Sequence, residues 1–236
     1  MTMTNNIFTF WEGDMPTYIK LCLDTWFFDY TLITYENLHQ FTKLDINTLK
    51  KYSLPIISDI IRVHALRDHG GYWLDADTIM VSDYLPTADM MGYPEERSAH
   101  IGYLRTDPHS PMFEEWAKFQ DKQINLKIAN PDFVSATWDM MGNSFTDTYI
   151  KKHKEVIIGS AKFRTPEVYM ENNTSRREKY LQFYFNHNFK LDDIQPTDML
   201  MLHNSWTPQW YKDLTEVDIL KQPCTLSNIL KEVLHK

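Results

Sequence analysis

This sequence is short of cysteine, of long apolar runs and of positive charge, and each shortage argues against a class of protein. Its two cysteines, Cys22 and Cys224, cannot make a disulfide framework, so we expect reduced thiols in a cytosolic protein. No apolar run is long enough to span a bilayer, and no basic stretch precedes an apolar run at the N-terminus, so we expect neither a membrane helix nor a signal peptide. The net charge of −8 argues against a nucleic-acid partner, whose phosphates would be repelled.

The apolar pattern of the 236 residues alternates between the periods of strands and helices. It predicts strands at 7–11, 29–34, 71–75 with a continuation at 78–81, 99–104 and 155–158. It predicts helices at 16–26, 36–41, 55–69, 111–123, 138–153 and 227–235. Strands that alternate with helices predict an α/β fold with a mostly parallel, Rossmann-like sheet flanked by crossover helices.

Residues 57–81, ISDIIRVHALRDHGGYWLDADTIMV, are the most informative stretch. A run with helical spacing is broken by Gly70–Gly71, a short apolar strand follows, and the strand ends in Asp75 and Asp77 with one residue between them. Open α/β sheets keep their ligand sites at the ends of strands. The order of the elements therefore predicts a site at this acidic tip.

The two carboxylates of the tip would point to the same side of an extended strand and repel each other. A divalent cation that takes its other ligands from phosphate oxygens would remove the conflict. A solvated acidic turn is the alternative. Upstream, Asp59 and Arg62 lie one helical turn apart, as residues that bind one ligand would, although an ordinary exposed ion pair has the same spacing.

The stretch resembles the nucleotide-sugar-binding segment of retaining glycosyltransferases of the GT-A fold. The most similar groups are bacterial capsular-polysaccharide transferases, yeast-type mannosyltransferases with a D-x-D sugar-binding region, and the glucosylating domains of large clostridial toxins. These families share S-D-x-x-R, then L-x-x-x-G-G-x-Y/W-L/I-D-x-D, and a C-terminal segment with His, Ser and Trp. The matching residues here are 58–62, 66–77 and 202–206, and 7–13 resembles their first strand.

The resemblance implies a role for five residues of the N-terminal part. Asp77 would bind Mn²⁺ or Mg²⁺ directly, and Asp75 would hold the ribose hydroxyls or take part in the metal site. Asp59 would bind sugar hydroxyls, and Arg62 would reach the donor sugar and its phosphate. Trp11 would stack on the nucleotide base, although core packing is the more common role of a lone tryptophan.

The resemblance also implies roles nearer the C-terminus. His203 or the hydroxyl of Ser205 would complete the metal shell, and the Trp206 indole would donate to the departing phosphate. A structural role for His203 is the alternative. Asp139 is the best available carboxylate for the other face of the sugar, although an acid at the start of a helix is typical without any catalytic role.

The resulting prediction is a metal-dependent, retaining hexosyltransferase that uses a UDP-sugar such as UDP-Gal or UDP-Glc. Its acceptor would be a capsular polysaccharide or a lipid-linked oligosaccharide. The enzyme itself would be cytoplasmic, with optional peripheral association with the inner face of the membrane. We predict one GT-A domain over 1–236, with a nucleotide-sugar half (1–90) and an acceptor-side half with a C-terminal closing segment (91–236). Two alternatives stay open: a HAD-type phosphatase with Asp75 as nucleophile, and a non-catalytic carbohydrate-binding module.

Overall fold

The structure is a computed structural model that describes residues 6–130, 132, 139–160, 165–170, 174–194 and 197–235. Its strands are β1 Ile7–Phe10, β2 Thr31–Ile33, β3 Gly71–Leu74, β4 Thr78–Met80, β5 Met90–Tyr93, β6 Ser98–Thr106, β7 Ile158–Ser160 and β8 Met199–Met201. Its α-helices are α1 Thr17–Asp24, α2 Ile46–Leu49, α3 Leu54–His69, α4 Pro111–Ala129, α5 Asn143–Lys152, α6 Arg176–Leu181, α7 Gln209–Lys212, α8 Glu216–Ile219 and α9 Thr225–Leu234. Short 3₁₀ helices occupy Leu38–Gln40, Pro166–Tyr169 and Leu191–Asp193, and a π-helical turn occupies Gln182–Asn186.

The chain forms two compact units, and each is assembled from three separate segments. The first unit contains Met1–Glu12, Tyr30–Asp75 and Thr87–Ser160. The second contains Gly13–Asp29, Ala76–Pro86 and Ala161–Lys236. Neither unit corresponds to a single continuous stretch of sequence.

The first unit is built on a six-stranded sheet in the order β2-β1-β3-β6-β5-β7. β1 pairs in parallel with β2 and β3, and β5 pairs in parallel with β7. β6 runs antiparallel to both β3 and β5, so five strands share one direction and β6 opposes them. α3 packs against β1 and β3, and α5 packs against β6. The predicted α/β class with a mostly parallel sheet flanked by helices is confirmed.

The Gly70–Gly71 pair turns the chain from α3 into β3. Gly70 has φ +62° and its N–H donates to Leu66 O, which ends the helix. Gly71 has φ +94°, and a Cβ there would lie 2.2 Å from the carbonyl oxygen of Asn6. This turn aligns β3 with β1 and thereby fixes where the acidic tip begins.

The second unit contains a separate two-stranded antiparallel sheet, in which β4 pairs with β8. The prediction that 78–81 continues the third strand is therefore wrong, because Asp75 N still bonds to Gly102 O in the first sheet whereas Thr78 pairs with Met201. α5 begins at Asn143, later than predicted, and Trp138 lies outside the described residues. The strand predicted at 155–158 lies at Ile158–Ser160.

Among the described residues, no helix combines the length and apolar character that crossing a membrane requires.

Candidate functional site

In the first unit, α3 and the end of β3 bring three charged residues together, which we call the Asp59 cluster: Asp59, Arg62 and Asp75. The Arg62 Nη2 atom lies 3.1 Å from Asp59 Oδ1 and 3.2 Å from Asp75 Oδ1. The side chains of Arg62 and Asp59 are 5% and 8% exposed, whereas that of Asp75 is 28% exposed. One arginine therefore bridges two carboxylates, of which only Asp75 is partly open to solvent.

Arg62 also has neutral partners that fix its guanidinium. Nη1 donates to Ile101 O at 2.5 Å, and Nη2 donates to Ser58 Oγ at 3.1 Å. The guanidinium carbon lies 5.1 Å from the centre of the Trp73 ring, a cation–π distance. The alternative of an ordinary exposed Asp59–Arg62 ion pair is therefore wrong, because both residues are buried and the pair is part of a larger network.

Gly142 lies directly against the Asp59 carboxylate. A Cβ on Gly142 would lie 2.6 Å from Asp59 Oδ2, so only glycine fits this close to the acid. The Gln120 amide donates to the carbonyls of both Asp59 and Met141 and ties α3 to that turn. Burial raises the pKa of Asp59 to about 7, Arg62 opposes the rise, and the charges of Asp75 and Asp139 add to it. Asp59 is thus poised to exchange a proton near neutral pH.

Asp139 lies in the turn that precedes α5. Its carbonyl accepts from the N–H groups of Gly142 and Ser144. Its charge is near enough to raise the pKa of Asp59. Asp139 thus lies shortly before the start of α5 and near enough to Asp59 for the two charges to interact.

Trp11 follows β1 in the first unit. Its backbone N–H donates to Ile33 O at 3.1 Å, which extends the pairing with β2 by one residue. Its indole nitrogen is buried and has no hydrogen-bond partner in the described part of the chain. The predicted role in base stacking stays a prediction.

In the second unit, the pairing of β4 with β8 brings together a group that we call the Asp77 cluster: Asp77, Asn204 and Tyr18. Asp77 O accepts from Leu202 N at 3.1 Å, and Asp77 Oδ2 accepts from Asn204 N at 2.6 Å. The Tyr18 hydroxyl on α1 donates to Asn204 Oδ1 at 2.6 Å. The acid and the segment from 202 onward, 125 residues later, are thus direct neighbours.

The segment after β8 folds into a turn that carries His203, Ser205 and Trp206. Trp206 N donates to His203 O at 2.9 Å, and the two rings lie 4.0 Å apart. Both rings pack against Tyr180, whose hydroxyl pairs with Thr207 Oγ1 at 2.9 Å. Ser205 is exposed. The predicted site residues His203, Ser205 and Trp206 are therefore close neighbours in sequence of Asn204, whose N–H donates to Asp77.

Sequence reasoning missed four polar neighbours of these acids: Trp73, Gln120, Tyr18 and Asn204. Trp73 and Asn204 belong to the matched motifs, so their positions could have drawn attention. Gln120 and Tyr18 carry no local signal, because their roles depend on contacts with distant parts of the chain. Lys212 was missed as well, although it is near enough to Asp77 for their charges to interact. Burial lowers the pKa of Lys212, and the charge of Asp77 opposes this change.

The acids suit a hard divalent cation that is shared with a substrate. Carboxylate oxygens are preferred ligands of Mg²⁺ and Mn²⁺, which are commonly held by one or two carboxylates together with substrate phosphates. Among the described residues, no group of three or more His, Cys, Asp or Glu side chains could hold an ion by itself. The carboxylates of the two clusters are thus of the chemical type that such an ion takes as ligands.

Comparison with known proteins supports a specific family. No curated protein matches this chain by sequence. A solved structure named PaToxG Glycosyltransferase is similar over 63% of this chain and 69% of that one, with 16% identity and a TM-score of 0.43. The family model described as "Capsular polysaccharide synthesis protein" matches residues 1–184. Since this match spans more than half of the chain, the protein belongs to the capsular polysaccharide synthesis protein family.

Proposed function

We propose that this protein is a retaining glycosyltransferase of the GT-A type that moves a hexose from a nucleoside diphosphate to a capsular polysaccharide or a lipid-linked glycan. The observation that carries the proposal is the Asp59 cluster at the end of β3. A buried arginine bridges two acids there, and one of them remains partly exposed. Membership of the capsular polysaccharide synthesis family supports the same reaction class.

In this proposal the donor sugar lies against the Asp59 cluster. Asp59 and Arg62 would reach the sugar hydroxyls and the adjacent phosphate only through the small exposed edges of their side chains, which are 8% and 5% exposed, so that the more open Asp75 would make the main contact. Asp75 holds ribose hydroxyls or contributes to the metal site, and Trp11 stacks on the base. With its pKa near 7, Asp59 is able to accept or donate at physiological pH.

Asp75, Asp77 and His203 are the residues that would hold Mn²⁺ or Mg²⁺, two of them only two positions apart in the sequence. When bound, the ion supplies Lewis-acid stabilisation of the diphosphate. The Trp206 indole would donate to the departing phosphate, with the Ser205 hydroxyl nearby as a further ligand. The acceptor hydroxyl would attack from the face that the diphosphate leaves, its proton would pass to the departing phosphate as the sugar–phosphate bond breaks, and Asp139 would stabilise the other face of the sugar.

The phosphatase alternative requires Asp75 to act as a free nucleophile. In the structure, Asp75 Oδ1 accepts from the Trp73 indole at 2.9 Å and lies 3.2 Å from Arg62. One hydrogen bond and a neighbouring positive charge stabilise the carboxylate and so lower its nucleophilicity. These contacts favour a binding role for Asp75 over covalent catalysis.

The proposal is tested by screening nucleotide sugars for Mn²⁺-dependent hydrolysis and by calorimetry with UDP and GDP in Mn²⁺ or in chelator. We expect tight nucleotide binding only with the metal, because the acids and the diphosphate repel each other without it. Asp77→Asn should abolish turnover while the fold is kept, whereas Asp83→Asn, at an exposed acid six residues later, should behave as wild type. Equal nucleotide affinity in chelator and in Mn²⁺ would refute the metal dependence. Phosphatase activity without nucleotide binding would favour the alternative enzyme, and glycan binding without turnover would favour the binding module.

A further inference from the structure

Trp73 makes a contact with Asp75 that the roles assigned so far leave unexplained. Its indole Nε1–H donates to Asp75 Oδ1 at 2.9 Å. The two residues lie two positions apart at the end of β3, so that strand geometry places their side chains on the same side. Trp73 is fully buried, whereas the Asp75 side chain is 28% exposed. A rigid, buried donor therefore holds an acid at the edge of the solvent.

The surroundings of Trp73 leave its indole little freedom. β3 is an interior strand, and Trp73 is paired with Phe8 on one side and with Leu104 on the other. The Arg62 guanidinium carbon lies 5.1 Å from the ring centre, and Arg62 Nη2 is the second group close to Asp75 Oδ1. One carboxylate oxygen is thus engaged twice, while Oδ2 has no hydrogen bond from the described part of the chain.

We propose that Trp73 is a positioning residue: with Arg62 it fixes Oδ1 of Asp75, so that this carboxylate offers the ligand a single oxygen, Oδ2, in one orientation. The inference rests on the proposed function, because the ligand in question is a nucleoside diphosphate with its divalent cation. An aspartate carboxylate otherwise rotates broadly about its last bond, and binding would have to immobilise it. Hydrogen bonds that orient a ligating group typically contribute 10- to 100-fold in affinity.

The test compares two tryptophan-to-phenylalanine variants. Trp73→Phe keeps the aromatic bulk and removes the indole donor to Asp75. Trp116→Phe is the matched control, because Trp116 is equally buried in the same unit and its indole donates to a backbone carbonyl, Met141 O, at 2.8 Å. That carbonyl also accepts from Gln120, so it keeps a partner in the control. UDP and GDP affinities are measured by calorimetry with Mn²⁺, far below the melting temperature of each variant.

We expect Trp73→Phe to weaken Mn²⁺-dependent nucleotide binding about 10- to 100-fold, and Trp116→Phe to leave it unchanged although both variants lose stability. Equal affinities for Trp73→Phe and wild type would overturn this inference alone. A wild-type protein that binds neither nucleotide with Mn²⁺ would overturn the proposed function and the inference with it. If Trp73→Phe does not fold, incorporation of 3-benzothienylalanine at position 73 keeps the bicyclic shape without the N–H. Weakened nucleotide binding by that variant would then support the inference, and an affinity equal to that of wild type would overturn it.

Discussion

At the scale of single residues, the burial of Arg62 changes what its replacement should do. If Arg62 contacted only the donor sugar and its phosphate, as the resemblance implies, Arg62→Ala would reduce transfer and spare stability. In the structure its partners include Asp59, Asp75 and the Ile101 carbonyl. Without the arginine, the buried Asp59 would be either an unpaired charge or protonated at a pH where the unfolded chain is ionised, and we expect a loss of about 3–5 kcal/mol in the free energy of unfolding.

Urea denaturation at pH 8 measures this loss. Arg62→Lys should not restore the stability, because an ammonium group cannot reach all three partners as the guanidinium fork does. Arg67→Ala is the control on the same helix, since Arg67 pairs with its sequence neighbour Asp68, which is 30% exposed, and such pairs contribute under about 1 kcal/mol. A loss for Arg62→Ala no larger than that for Arg67→Ala would show that the cluster does not stabilise the fold.

Glu167 makes a second prediction at this scale. It is fully buried, neither carboxylate oxygen has a hydrogen-bond partner in the described residues, and burial raises its pKa to about 7. Between pH 4.5 and 7 the unfolded chain loses this proton while the folded protein keeps it. The contribution of Glu167 to stability is therefore complete below pH 4.5 and is lost as the pH rises to about 7, by roughly 3 kcal/mol at most.

Glu167→Gln cannot titrate, so its stability relative to wild type should rise between pH 4.5 and 8. Urea denaturation of both proteins across this range gives the difference directly, and contributions of other groups such as Asp59 cancel. A difference that does not change with pH would mean that Glu167 has an ordinary pKa in the folded protein.

At the scale of elements, the turn from α3 into β3 depends on Gly71. Gly71→Ala combines an unfavourable φ of +94° with a Cβ only 2.2 Å from Asn6 O, so β3 and the chain before β1 would have to separate. Gly13→Ala is the matched control, because Gly13 has φ +84° and no atom within 4 Å of its Cβ position. We expect the control to lose about 1–2 kcal/mol of its free energy of unfolding from backbone strain alone, and Gly71→Ala to lose clearly more. Thermal denaturation compares the two, and equal losses would show that the clash relaxes without cost.

At the scale of the whole molecule, the interleaved segments predict how the chain can be divided. A cut after residue 90 separates β3 from its partner β6 and β4 from its partner β8. We therefore expect fragments 1–90 and 91–236 to be unfolded when they are produced separately, although each covers one of the halves predicted from sequence. Far-UV circular dichroism and cooperative thermal unfolding of each fragment test this, and a native-like transition in either one would contradict it.

The prediction from sequence succeeded where the signal is local. The helical period of 55–69, the two glycines and the short strand after them required only neighbouring residues, and α3 and β3 lie where that pattern predicts. The pairing of Asp59 with Arg62 follows from helical spacing alone. The expectation for 78–81 was wrong because it concerned a long-range pairing. A short apolar run carries no information about which strand it will pair with.

The sequence by itself determined the α/β class and the acidic tip after β3, because local periodicity and short-range order encode them, and its resemblance to GT-A glycosyltransferases supplied the motif residues of the proposed site. Tertiary structure alone decided that Arg62 is buried, that Gly142 lies against Asp59, that Trp73 holds one oxygen of Asp75, and that Asn204 bonds to Asp77. Burial and the pairing of segments more than a hundred residues apart depend on how the whole chain packs. For that reason the residue types of the candidate site were predictable, and their hydrogen bonds, pKa values and supporting residues were not.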